Sequence, residues 1–162
     1  MLSDTSLARL GEVYPELMRR IVRLDSYIPS LSIQVTRGVA SWAQQDALYA
    51  QGRTVPGPVV TNAAGGYSAH NFGYAVDLVP EDITPGQPDW NLDHPAWQKL
   101  LYVAPNCGLA EGAKWCGFKD NPHFYLQELS ATPTDEMRQL FKDGGMQAVW
   151  ESFTDVAAWS AT

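Results

Sequence analysis

GGYSAHNFGYAVDLVP, residues 65–80, decides how the rest of the chain is read. Its second half, YAVDLV at 74–79, has the makings of a short strand, with Ala75 and Asp77 on one face and Tyr74, Val76 and Leu78 on the other. Its first half is a glycine-rich loop that delivers Ser68 and His70 to that strand. A second stretch, FKDNPHFYLQ at 118–127, closes with another strand, 123–127, which puts His123, Tyr125 and Gln127 on one face. Together the two stretches hold two of the three histidines in the chain and two aspartates, set among apolar and glycine neighbours. That is the pattern of a buried metal site.

Zinc takes nitrogen from histidine and oxygen from aspartate, and a catalytic site keeps three protein ligands with a fourth position for water. His70, Asp77 and His123 make such a set, two from one loop and strand and the third from a distant strand. Asp120 is then left over, three residues before His123. A surplus carboxylate is what a hydrolase requires, because a metal-polarised water needs a base and a leaving amine needs an acid. Composition alone leaves a second reading equally open: hydrogen-bonded core histidines and turn aspartates. Asp120-Asn121-Pro122 has the chemistry of a turn.

Upstream of the motif, the apolar spacing of Leu7, Leu10, Tyr14, Leu17, Met18 and Ile21 predicts one amphipathic helix over 5–24, with Arg19, Arg20 and Arg23 near its end to suit the helix dipole. After Pro29 the period changes to two, with Leu31, Ile33 and Val35 on one face. The alternation carries Arg37 onto that apolar face, where it either meets an anionic partner or a site, or bends out to solvent at the strand end. Ser41-Trp42-Ala43-Gln44 has the form of a capping box and opens a helix that stops at Gly52. The stretch 53–67, with Pro56, Gly57, Pro58, Gly65 and Gly66, predicts a loop of a length that suits the rim of a site.

Downstream lies a Pro-, Asp- and Gly-rich loop over 80–93, then a helix starting at Pro95, capped by Asp93 and ending before Pro105. His94, the third histidine, reads as a surface residue at that helix start. The tail predicts two helices, 134–142 and 146–159, separated by Gly144-Gly145. No internal repeat or low-complexity segment is found.

A chain of 162 residues is expected to form one domain. Its formal net charge of −7, with no basic patch, excludes non-specific binding to nucleic acid or to anionic surfaces. No apolar run is long enough to span a bilayer, and the first twenty residues lack the pattern of a signal peptide. Cys107 and Cys116 stand nine positions apart, too far for a Cys-x-x-Cys knuckle; they are either a disulfide closing a small loop or two free thiols.

Residues 68–77, SAHNFGYAVD, carry the Ser-x-His-x-x-Gly-x-Ala-x-Asp signature of the VanY-type D-alanyl-D-alanine carboxypeptidase family of zinc peptidases, and Asp120-Asn121-Pro122-His123-Phe124 resembles its second signature. The likeness is closer to the phage-endolysin branch, the L-alanyl-D-glutamate peptidases. Phe-x-Asp-x-Pro-His-Phe, the upstream run QDALYAQGRT at 45–54, and residues 60–63 and 65–68 carry that closer likeness, which covers roughly residues 30–130. Where family members follow this arginine with Ser or Thr, Arg37 is followed by Gly38.

The resemblance implies an α+β fold: a small antiparallel sheet carrying the zinc site, flanked by helices, as in the D-Ala-D-Ala peptidase or Hedgehog-like fold. It implies a single peptidase domain over 1–162 without a separate wall-binding domain. It assigns one Zn2+ to His70, Asp77 and His123, the general base to Asp120, substrate and oxyanion contacts to Arg37, and a pocket-lining place to Ser68. The implied activity is cleavage of the peptidoglycan stem peptide at L-Ala–D-Glu, by a monomer reaching the wall after holin-type release, without membrane insertion. The alternatives are a D,D-carboxypeptidase removing terminal D-Ala and a non-catalytic zinc-binding module, against which the retained Asp120 speaks.

Overall fold

The computed structural model describes residues 1–81 and 86–156. Among them four short strands, β1 (Ile33–Arg37), β2 (Ala75–Pro80), β3 (Leu109–Glu111) and β4 (His123–Leu126), form one antiparallel sheet in the order β1-β2-β4-β3. Five helices flank it: α1 (Asp4–Leu10), α2 (Pro15–Tyr27), α3 (Trp42–Ala50), α4 (Pro95–Val103) and α5 (Asp135–Glu151). The α+β class read from the motifs is the observed one.

One face of the sheet is driven by burial. Val76, Leu78, Phe124 and Leu126 are wholly buried in a cluster with Leu17, Ile21 and Leu24 of α2 and Leu100 of α4, the arrangement expected when an apolar strand face needs helices to cover it. The opposite face of β2 and β4 carries Asp77 and His123. Register places Asp77 beside His123 in β4 and beside Arg37 in β1, so one row across three strands holds three polar side chains.

The expected single helix over 5–24 is two. Pro15 has no N–H to continue a helix and sits instead at the first position of α2. The backbone N–H of Tyr14, freed by the break, donates to Gly73 O at 2.8 Å and ties the corner to the central motif. Apolar spacing runs through the break because both helices face the same core, which is why periodicity hides it. The arginines do not serve the helix dipole either, since α2 continues to Tyr27 with no basic residue in its last turn.

Arg20 is instead 1% exposed and donates to Glu128 through two nitrogens, at 2.7 and 2.8 Å, to Gly108 O at 2.7 Å and to Glu16 at 3.3 Å. This pins α2 to the segment after β4. Glu128→Ala leaves the guanidinium buried without its bidentate partner, and we expect a loss of about 3 kcal/mol, read by urea unfolding; an unchanged midpoint would refute the anchoring role.

Smaller differences have local causes. His94, not Asp93, caps α4, its Nδ1 accepting from Ala96 N at 3.2 Å, because Pro95 occupies the first helical position and leaves the cap to its immediate neighbour. β3 is only three residues long, too short to show alternation. The break at Gly144-Gly145 is present as a non-helical Gly145 with φ 70°, but the following helix stops at Glu151. Positions 157–159 of the helix expected over 146–159, and 82–85 of the loop over 80–93, lie outside the described residues. Both cysteines are free, Cys107 buried and Cys116 exposed. No helix among the described residues is long and apolar enough to cross a membrane.

Candidate metal centre

The loop before β2 is built to hold His70 still. Residues Ala69–Phe72 make one 3-10 turn, and Gly73 leaves it with φ 69°, a conformation that costs a side chain and suits glycine. Buried Asn71 stitches the turn to its surroundings: its Oδ1 accepts from Gly66 N at 3.0 Å and Ser68 N at 3.3 Å, and its Nδ2 donates to Ala40 O at 2.9 Å and Ser41 O at 3.3 Å. The loop is thereby fastened to the start of α3.

The His70 ring is 2% exposed, and its Nδ1 lies 2.9 Å from Gly38 O. A carbonyl only accepts, so this contact assigns the proton to Nδ1 and leaves Nε2 with a bare lone pair. A side chain at position 38 would meet Arg9 O at 3.0 Å, because α1 packs there and Arg9 donates to Val35 O at 2.6 Å. The close approach of α1 thus favours a glycine after Arg37.

His70 Nε2, Asp77 Oδ1 and His123 Nδ1 converge. The three separations are 3.1 Å, 3.0 Å and 3.4 Å, for His70 to Asp77, His70 to His123 and His123 to Asp77. Tetrahedral zinc with bonds of ~2.0–2.1 Å would hold its donors about 3.3 Å apart. A proton on His123 Nδ1 can be shared with only one of the two facing acceptors, whereas a cation satisfies all three. With Nδ1 turned to the metal position, the other ring nitrogen, Nε2, is buried without a hydrogen-bond partner. The donor set and its spacing fit a metal ion.

Electrostatics follow from this crowding. Burial alone would raise the Asp77 carboxyl, but His70 and His123 beside it hold it well below the usual carboxylate range. Burial lowers the His123 imidazole, against its hydrogen bond to Asp77, and so favours the neutral form that a metal ligand needs.

The donors sit in a cavity of about 660 Å3, a size that suits a small-molecule or peptide segment. Asp120, Arg37 and Ser68 line the same cavity, so all six residues singled out from the sequence meet there. The turn bearing Asp120 rests on Gly112, where a Cβ would meet Asp120 O at 2.5 Å. His123 N donates to Asp120 O at 3.2 Å, which closes the turn between the two residues. Burial, then the negative charge of Asp77, raises the Asp120 carboxyl above its ordinary value.

Arg37 faces the cavity and not bulk solvent. The register shifts between Val35 and Arg37, so the two-residue arithmetic that set it on the Ile33 face does not decide its direction. Its NH2 donates to Gln45 Oε1 at 2.7 Å.

Gln45, Trp115 and Phe118 are among the lining residues that the sequence did not single out. The Trp115 ring lies 5.0 Å from that of His123. Its neighbours in sequence are loop residues, and nothing in their spacing marks it. For Gln45 a signal existed, since it opens the run that resembles the endolysin branch. The loop expected to form a rim does so, through Val60, Thr61, Asn62, Ala63, Ala64 and Tyr67.

Comparison with known proteins points the same way. Residues 61–126 match the D-alanyl-D-alanine carboxypeptidase family. The resemblance carried by the two motifs is thereby shown. The matched stretch contains Ser68, His70, Asp77, Asp120 and His123 and leaves Arg37 and Gln45 upstream. The peptidoglycan L-alanyl-D-glutamate endopeptidase CwlK of Bacillus subtilis is 35% identical over 103 residues, which are 59% of this chain and 61% of that protein's length.

Among solved structures, the L-Ala D-Glu endopeptidase ChiX of Serratia marcescens superposes with a TM-score of 0.57 at 22% identity, covering 90% of this chain and 94% of that one. The vancomycin-resistance D,D-dipeptidase VanXYg gives 0.54 at 16% identity, covering 86% and 58%. At those identities the two structures speak for a shared fold.

Proposed function

We propose that the protein is a zinc-dependent metallopeptidase that hydrolyses the stem peptide of bacterial peptidoglycan at the L-Ala–D-Glu bond. The observation that carries this reading is the convergence of three donor atoms, from two buried histidines and a half-buried aspartate, on a cavity that also presents Asp120 and Arg37. The 35% identical relative named for that bond favours it over removal of terminal D-Ala. One buried cluster runs from Leu2 to Val156, and we take the whole as one peptidase unit acting as a monomer at the cell wall.

His70 Nε2, Asp77 Oδ1 and His123 Nδ1 would hold the ion. A zinc ion there supplies Lewis acidity, polarising a carbonyl and making a water acidic near neutral pH. The Asp120 carboxylate takes the proton of the attacking water and returns it to the departing nitrogen, a role for which a raised pKa is suited. Arg37, the sole cation lining the cavity among the described residues, directs its free N–H groups at the oxygen that gains charge and at stem-peptide carboxylates. Ser68 lines the pocket floor beside His70, and Trp115, Phe118 and Val60 wall the groove with apolar surface.

The test is a digest of purified muropeptides with the zinc-loaded protein, read by mass spectrometry. Peptides beginning with D-Glu are expected to be released. Free D-alanine as the sole product would overturn the L-Ala–D-Glu assignment and identify a D,D-carboxypeptidase; no cleavage with zinc bound would identify a binding module.

A further inference from the structure

Gln45 is the one buried polar side chain on α3, 1% exposed, although its neighbours Gln44 and Asp46 lie at the surface. Burying a primary amide is unfavourable unless both its ends are paired. Both are. Its Oε1 accepts from Arg37 NH2 at 2.7 Å, and its Nε2 donates to Ala63 O at 2.8 Å and to Thr61 Oγ1 at 3.4 Å.

The amide has only one possible orientation. A guanidinium only donates and a backbone carbonyl only accepts, so flipping Gln45 would set donor against donor and acceptor against acceptor. Gln45 is therefore a fixed link between β1's terminal arginine and the loop that forms the cavity rim. Among the described residues it is also the sole hydrogen-bond partner of the Arg37 guanidinium, which has no ion pair there. No second hydrogen bond holds this long, rotamer-rich side chain in the described site, where the Asp120 charge also attracts it.

We propose that Gln45 is a positioning residue: it clamps Arg37 at one face of the cavity and couples that cation to the rim loop at Thr61 and Ala63. The inference rests on the reading of Arg37 as a substrate-facing group. A substrate that packs against the rim presses on the same amide that holds Arg37, so rim fit and cation placement are set together. Held in place, Arg37 loses little freedom when an anionic group arrives; released, it must be ordered at that moment.

Two measurements test the clamp. Side-chain 15N NMR relaxation of the metal-free protein is expected to find the Arg37 guanidinium immobilised in the wild type and, in Gln45→Met, as mobile as that of exposed Arg19. Steady-state cleavage of muropeptide by the zinc-loaded protein is expected to fall by about 10- to 100-fold in kcat/KM for Gln45→Met, the worth of one hydrogen bond to a charged group. In an Arg37→Ala background the same change is expected to alter kcat/KM by less than about 2-fold, because the residue acted upon is gone.

Gln45→Glu, which keeps an acceptor for Arg37 but loses the donor to Ala63 O, is expected to recover most of the NMR rigidity. Unchanged Arg37 mobility in Gln45→Met, or an equal loss of rate with and without Arg37, would overturn the clamp. If the wild type cleaves no muropeptide, the proposed function falls and the NMR experiment still decides the clamp.

Discussion

Asp120→Asn is expected to slow muropeptide cleavage by about 10^2- to 10^4-fold, the usual worth of a positioned acid–base group, and to leave zinc binding intact. Asparagine has the shape of aspartate, so the backbone contact of residue 120 with His123 N and its seat on Gly112 are retained. The three donor atoms are untouched. What is lost is the capacity to accept a proton from water and to return it to the departing amine. Burial, then the nearby Asp77 charge, raises its carboxyl above the ordinary value, the direction that strengthens a base. Rates on a soluble muropeptide, with metal content by atomic emission, check this. A variant that binds zinc and cleaves at the wild-type rate removes Asp120 from the mechanism.

The second large effect is loss of the ion itself. Chelation is expected to abolish cleavage and added zinc to restore it, and His123→Ala is expected to be inactive at any zinc concentration that leaves the wild type saturated. A readout independent of activity is available. A ligand that binds only the folded state adds about 4 kcal/mol of stability at 1,000 times its Kd, so zinc should raise the melting temperature of the wild type and leave that of His123→Ala unmoved. His123 is suited to this test because its backbone sits in β4 paired with Asp77, where alanine keeps the strand. Cleavage that persists in excess chelator would end the metallopeptidase reading.

How much of this was legible in the chain differs element by element. YAVDLV and HFYL announce themselves as strands because alternation is local, and Ser41 with Gln44 announces α3 because a capping box lies within four residues. The break between α1 and α2 was hidden, since two helices against one core share a single apolar rhythm, and only the N–H of Tyr14 reaching Gly73 O shows where the corner belongs. Asn71 was legible only as a motif spacer. Two of its four hydrogen bonds reach back to residues 40 and 41, some thirty positions away, and no window along the chain contains both ends. Arg37 stood undecided between solvent and site because alternation fails at a bulge, and a bulge is a property of two paired strands.

By itself the sequence singled out the side chains proposed to carry the chemistry, His70, Asp77, Asp120 and His123, through two motifs and the family they resemble, while their residue types alone also fit core histidines and turn aspartates. Donor chemistry and strand periodicity are local, and a local pattern survives without knowledge of the fold. The tertiary structure alone decided that β2 and β4 pair with Asp77 opposite His123, that His70 turns Nε2 inward because Gly38 O takes its other nitrogen, and that Gln45 reaches both Arg37 and the rim. Each of these is a distance of a few ångströms between residues far apart in the chain. Such distances are set by sheet register and by the packing of α1 and α3.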